Sequence, residues 1–221
     1  SAKRTRRRLS SISSYFSFLL EDEVVLFNPA AGLKRPRIRE KTPTYLRQYE
    51  IDRVRQTCPD LITKVIVNTF YLTGIRLEEL RTCQLGSLDL ETRMLKVMGK
   101  GGKERYVPFS SYLANLLREY LDEVEGNRSS SSLFITEQGI PFTRNRIEYL
   151  MRKLSKLSGI KVRPHILRHS FATHAIERGA TRESVRVILG HAKVSTTTDL
   201  YVHLEPNVRD DYEKAFGKET Q

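Results

Sequence analysis

Two histidines, an arginine and a tyrosine toward the C-terminal end are the residues whose types and spacing could do chemistry. They are His165, Arg168, His191 and Tyr201, within PHILRHSFATHAIERGATRESVRVILGHAKVSTTTDLY from Pro164 to Tyr201. Leu167, Phe171, His174 and Ala175 recur at helical spacing between Pro164 and Gly179, so this stretch predicts a helix that Gly179 ends. His165 and Arg168 then lie one turn apart on one face, near the positive end of the helix dipole. A helix N-terminus that carries an Arg and a His favours an anion. A second short helix, with Thr181 as N-cap and running to Leu189, ends at Gly190 and delivers His191 at its mouth. A Ser/Thr-rich turn leads on to Tyr201. Singly, a helical His is more often a surface or satisfied core residue and a Tyr usually packs; the information lies in the four together.

HILRHSFATH, LGH and STTTDLY resemble the C-terminal boxes of the tyrosine recombinase/integrase family. In that family the H-x-x-R pair, the His of the LGH turn and the following Tyr bind and attack a DNA phosphate. Upstream, TGIRLEEL is similar to the family's first arginine box, which makes Arg76 a second phosphate clamp. Glu79, one turn beyond it, is placed to hold that Arg by an ion pair. The resemblance also assigns Lys100, the first lysine of a Gly99-Lys100-Gly101-Gly102 turn, as the catalytic lysine, and makes Lys103 and Arg105 phosphate contacts. That turn joins two strand signals between Leu88 and Phe109 and predicts a β-hairpin. It lacks the spacing and the G-K-[ST] ending of a nucleotide-binding P-loop.

These assignments imply a mechanism. Tyr has a reference pKa of about 10, and nearby cations favour its phenolate. Arg76 and Arg168 present planar forks of donors to the non-bridging oxygens of a scissile phosphate, and His191 adds a hydrogen bond. His165 is the general base toward Tyr201, and Lys100 protonates the departing 5′ oxygen. The product is a 3′-phosphotyrosyl enzyme whose bond energy permits rejoining without a cofactor, ATP or a metal ion. The expected activity is site-specific recombination or integration of double-stranded DNA. The His191-to-Tyr201 interval is one residue longer than the form associated with Xer proteins, which points to a mobile genetic element. Dimer resolution of the Xer kind is the alternative. A type IB topoisomerase and a catalytically silent DNA-binding protein are rivals from other classes, and the full set of six residues argues against silence.

Composition fits a polyanionic partner. The 221 residues carry a formal net charge of +12, with a pI near 9.8, and 39% hydrophobic content is adequate for a core. No apolar run is long enough to span a bilayer, so the expectation is a cytoplasmic, nucleoid-associated protein with no membrane partner. Cys58 and Cys83 form no C-x-x-C and read as buried thiols. All five His follow residue 164, yet they lack the H-E-x-x-H carboxylate and any Cys partner, so no metal site is expected.

The elements that must position these groups can be followed along the chain. Leu9, Ile12, Phe16 and Leu19 predict an N-terminal helix ended by Asn28-Pro29, too short and too broken by Ser17 for a signal peptide. By resemblance, residues 1–32 are the last helix of a core-binding domain whose remainder is outside this chain, which implies a truncated form. Residues 33–43 read as a Pro-containing basic linker, and a catalytic domain spans 44–221. Helices are expected from about Gln48 to Gln56, from Asp60 to Leu72 with Gly74 as stop, from Arg76 with Leu77, Leu80 and Cys83 inward, and from Ser110 or Ser111 to Tyr120. Thr143 caps another, with Ile147, Leu150, Met151, Leu154 and Leu157 buried and Gly159 as stop. Its first turn carries Arg144 and Arg146 against the helix dipole, so something negative is expected there. By resemblance this helix enters the major groove, with Arg144, Asn145 and Arg146 as base and phosphate contacts. In the tail, about 205–221, Val208, Tyr212, Ala215 and Phe216 form an apolar stripe. It either caps its own chain or, as the resemblance implies, docks on a neighbouring protomer in a homo-oligomer, a dimer per site and a tetramer in the synapse. The fold class is mainly α with a small antiparallel β-sheet.

Overall fold

The computed structural model describes residues 2–34, 36, 45–99, 102–190 and 206–219. Contacts divide the chain into two units, Ser1–Pro43 and Thr44–Gln221. In the first, helix α1 runs from Ala2 to Glu21. It ends there rather than at Asn28-Pro29, because Glu23 takes a left-handed φ of 56° and turns the chain back. Asn28 then ties the return to the helix, its Nδ2 donating to Ser13 O at 2.9 Å and to Ser17 Oγ at 3.0 Å. Of the expected stripe, Leu9, Phe16 and Leu19 are half-buried and Ile12 is exposed.

The second unit is built round α3 (Leu61–Thr73), which is buried on nearly every side and packs against α5 (Ser111–Val124) and α7 (Pro164–Glu177). Asp60 caps α3 by accepting from Thr63 N at 2.7 Å, and Thr69 satisfies its buried hydroxyl on Val65 O at 2.8 Å. Such an all-round apolar helix is stable only inside a larger core. It is preceded by α2 (Gln48–Gln56) and followed by α4 (Leu77–Thr82). Gly74 joins α3 to α4 at φ +63°, and a Cβ there would stand 2.6 Å from Phe171 Cδ1 and 2.8 Å from Leu189 Cδ2. Only glycine fits both the backbone and the packing.

Three short strands, β1 (Leu88–Asp89), β2 (Met94–Met98) and β3 (Glu104–Pro108), form one antiparallel sheet in that order. Leu95 pairs with Val107 and Val97 with Arg105, so these four side chains share the inner face. The expected mainly α fold with a small antiparallel sheet is therefore what the chain adopts. Helix α6 (Arg144–Ser158) is capped by Thr143 and stopped by Gly159, but Leu157 is 52% exposed and Ser158 takes the buried place expected of it. Ser158 Oγ closes on Leu154 O at 2.8 Å, which satisfies its hydroxyl inside the core. Helices α8 (Arg182–Leu189) and α9 (Pro206–Phe216) complete the unit. No helix among the described residues is long and apolar enough to cross a membrane.

Helix α9 takes the first of the two courses open to the tail, packing on its own chain. Val208, Tyr212, Ala215 and Phe216 are all buried within their own chain. Phe216 stacks on Phe171 with ring centroids 5.1 Å apart, and Tyr212 donates its hydroxyl to Leu72 O at 2.8 Å. Asp211 fastens α9 to the start of α8, accepting from Thr181 N at 2.9 Å and Ser184 Oγ at 2.7 Å. Phe216→Ala should therefore lower stability by about 3 kcal/mol, the usual cost of emptying a core phenylalanine site. Urea unfolding should show a lower midpoint at unchanged slope, and a change under about 0.5 kcal/mol, typical of a surface site, would place the ring outside the core.

Candidate active site

The groups singled out in the sequence are assembled by helix ends. Arg76 is the N-cap of α4; its backbone N–H donates to Glu79 Oε2 and its Nη1 to Glu79 Oε1, both at 2.7 Å. The expected ion pair is thus present, and Arg76 keeps 41% of its side chain exposed while Glu79 keeps 3%. A buried carboxylate needs more than one partner, and Arg105 is the second, with Nη1 and Nη2 at 2.7 and 2.9 Å from the two Glu79 oxygens. Burial alone pushes the Glu79 pKa up; hydrogen bonds from Arg105 and Arg76 outweigh it and bring it to about 2. Glu79 is ionised throughout the neutral range.

Arg168 lies in the second turn of α7 and is half-buried. Its Nη1 donates to Gly74 O at 2.5 Å and its Nη2 to Leu189 O at 2.8 Å, tying α7 to the turn before Arg76 and to the end of α8. Burial and then the neighbouring Arg76 lower its pKa to about 10, and it stays a cation at neutral pH. His165, in the first turn, is exposed; partial burial, then Arg163, His169 and Lys161, lower its pKa from the ordinary histidine value. The shift favours the neutral imidazole, the form able to accept a proton.

Arg76, His165 and Arg168 line one cavity of about 630 Å³. Arg144, Arg152, Lys156, Lys161 and Arg163 line it as well, and Glu148 is the one carboxylate among the lining residues. Seven cations facing one acid make this an anion cleft with a focused positive field. Sequence reasoning missed Arg152, Lys156, Lys161 and Arg163. The signal was available for two of them, since 144, 148, 152 and 156 advance by four along one face of α6. Arg144 is tied to Glu148 at 3.1 Å and to Glu78 at 3.5 Å, while Asn145 and Arg146 are exposed and are not among the lining residues.

Lys103 is exposed at the entry to β3. Arg105 is not at the surface as expected for a phosphate contact: it is 14% exposed, turned inward on the buried face of the sheet. His174 is a satisfied core residue, its Nδ1 2.8 Å from Tyr71 Oη. Cys83 is buried and Cys58 half-buried, both free. Lys100, His191 and Tyr201 lie outside the described residues; Gly99, before Lys100, follows β2, and Gly190, before His191, is the C-cap of α8. A separate cavity of about 740 Å³, lined by Arg55, Tyr112, Arg178 and Glu219 among others, contains none of the candidate residues.

The phage integrase family matches residues 44–207. The chain belongs to this family. Tyrosine recombinase XerC of Lacticaseibacillus casei (strain BL23) is 32% identical over 226 residues, covering 96% of this chain and 76% of the relative. Tyrosine recombinase XerC of Natranaerobius thermophilus is 37% identical over 214 residues, covering 90% and 71%. Among solved structures, XerA recombinase superposes with a TM-score of 0.65 at 29% identity, covering 93% of this chain and 82% of that one. The phage integrase fold is thus matched along nearly the whole chain, and the protein is a tyrosine site-specific recombinase.

Proposed function

We propose that this recombinase binds double-stranded DNA at specific sites and cleaves one strand at a time through a 3′-phosphotyrosyl intermediate. The observation that carries the reading is the cavity in which Arg76, His165 and Arg168 meet, ringed by five further cations. A scissile phosphate in that cleft would receive hydrogen bonds from both guanidinium groups on its non-bridging oxygens, where charge grows in the transition state. His165, neutral and at the mouth of α7, takes the Tyr201 proton; the Tyr201 oxygen bonds to phosphorus; the bond to the 5′ oxygen breaks, and Lys100 gives that oxygen its proton. His191 supplies one more hydrogen bond, and Glu79 holds Arg76. Arg144, Asn145, Arg146 and Lys103 contact DNA outside the cleaved phosphate. Reversal of the same steps with another strand's 5′ hydroxyl exchanges strands, and no cofactor enters the balance.

The domain reading joins this proposal: residues 1–32 as the end of a core-binding domain, 33–43 as linker and 44–221 as catalytic domain. Assembly as a dimer per site and a tetramer in the synapse belongs to it too, as does action at the nucleoid in the cytoplasm. With α9 buried in its own chain, contact between protomers calls for its release or for another surface. Two biological settings have support. The longer interval before Tyr201 favours a mobile element, and the Tn1549 transposon integrase, in complex with circular intermediate DNA, shares the fold with a TM-score of 0.70 at 19% identity. The XerC relatives favour dimer resolution. Sequencing DNA trapped covalently on the protein tests the whole reading: adducts clustered at one short sequence are expected, and adducts scattered at random would support a topoisomerase instead.

A further inference from the structure

Arg105 lies on β3 opposite Val97, on the face that carries the buried Leu95 and Val107. Its guanidinium joins three elements. Nη1 and Nη2 grip both oxygens of Glu79 on α4, and Nε donates to Ile188 O near the end of α8 at 2.8 Å. Each of these elements bears on a different candidate group. Glu79 uses its remaining capacity to hold the backbone and the guanidinium of Arg76. Ile188 stands three residues before His191, and a Cβ on the intervening Gly190 would meet Arg105 Cδ, Nε and Cζ at 3.2 Å, so the turn into His191 rests directly on this side chain. Strand β3 itself is the partner of β2, whose end leads through Gly99 into Lys100.

We infer that Arg105 is a positioning residue, setting where Arg76 and the turn into His191 stand relative to one another, and is not a contact to the DNA backbone. The inference rests on the roles proposed above for Arg76 and His191. A guanidinium is needed because the task is planar and three-pronged: two donors meet a carboxylate while a third meets a carbonyl 83 residues further along the chain. A lysine keeps the charge but has one nitrogen, and cannot span both acceptors.

The test compares Arg105→Lys and Arg105→Gln in the full chain, using a nicked half-site duplex built from the DNA recovered by covalent trapping. Thermal unfolding, DNA affinity across a salt series and single-turnover cleavage at saturating DNA are measured for each. Both variants are expected to stay folded at the assay temperature and to bind with the parent's affinity and salt dependence. Both should cleave about 100-fold more slowly, as a displacement of about 1 Å in a reacting constellation produces, with no rescue by lysine. A phosphate contact would behave oppositely, with weaker binding, a salt slope reduced by about 1 and recovery in Arg105→Lys; that result overturns the inference. So does unfolding of both variants, which would make Arg105 a determinant of the fold. A Tyr201→Phe control separates the two levels. An adduct that survives Tyr201→Phe sinks the reading of the site, whereas normal cleavage by Arg105→Lys beside an inactive Tyr201→Phe sinks the positioning role alone.

Discussion

Tyr201→Phe is expected to leave no covalent protein–DNA adduct on a nicked half-site substrate while binding stays near the parent level. The substitution keeps the ring and removes only the attacking oxygen, so contacts to DNA made by the cationic cleft are untouched. On a denaturing gel the shifted protein–DNA band should vanish, while a native gel should show the parent's complex. By sequence alone Tyr212, eleven residues on, would be the next nucleophile in line. The structure removes it from contention: it is 1% exposed, its hydroxyl is committed to Leu72 O, and burial raises its pKa far above the ordinary phenol range. A phenol that is neutral and enclosed has no ionised oxygen to offer a phosphate. A persistent adduct in Tyr201→Phe would therefore move the chemistry to another nucleophile and not to this neighbour.

The sequence was most informative where chemistry and local geometry coincide. Gly74, Gly159 and Gly190 announce helix ends, and each takes a left-handed φ at a C-cap; Asp60, Ser110, Thr143 and Thr181 cap with their side chains. These are one-turn interactions, readable without tertiary context. Arg76 with Glu79 belongs to the same class, three residues apart on one helix start. The inward placement of Arg105 was missed because its partners, Glu79 and Ile188, lie 26 and 83 residues away, and no local pattern reports a contact of that kind. A hint existed in the strand alternation, since Arg105 shares parity with Val107 and so points to the buried face. The tail shows the same limit. Its apolar stripe was legible, but whether Tyr212 and Phe216 fill their own core or another molecule's depends on the pocket left by Tyr71, Leu72 and Phe171, which only the assembled helices define. Within the anion cleft, the α6 cations follow a four-residue rhythm that periodicity can find, whereas Lys161 and Arg163 join through the turn from α6 to α7.

Replacing the 5′-bridging oxygen of the scissile phosphate by sulfur should separate the cations that hold the phosphate from the one that protonates the leaving group. A thiol has a reference pKa of about 8.5, so a thiolate departs readily without a proton donor. Lys100→Ala should slow cleavage of the ordinary substrate by about 10² to 10⁴-fold, the usual contribution of a general acid, and most of that loss should disappear with the sulfur substrate. Arg168→Ala should not recover. Its guanidinium is carried on α7 and anchored by Gly74 O and Leu189 O, beside Arg76 in the cleft, and its proposed work is on the non-bridging oxygens, whose charge grows equally whichever atom departs. Loss of one such donor costs on the order of 10² to 10³-fold, and that factor should be the same for the oxygen and sulfur substrates. Arg76→Ala should follow Arg168→Ala for the same reason. The measurement is single-turnover cleavage of the paired substrates by each variant. If Lys100→Ala remains slow on the sulfur substrate, Lys100 holds the DNA or the hairpin, and the proton must come from Lys103, His191 or water. If Arg168→Ala recovers, its guanidinium acts on the departing oxygen, and the roles of the two residues exchange.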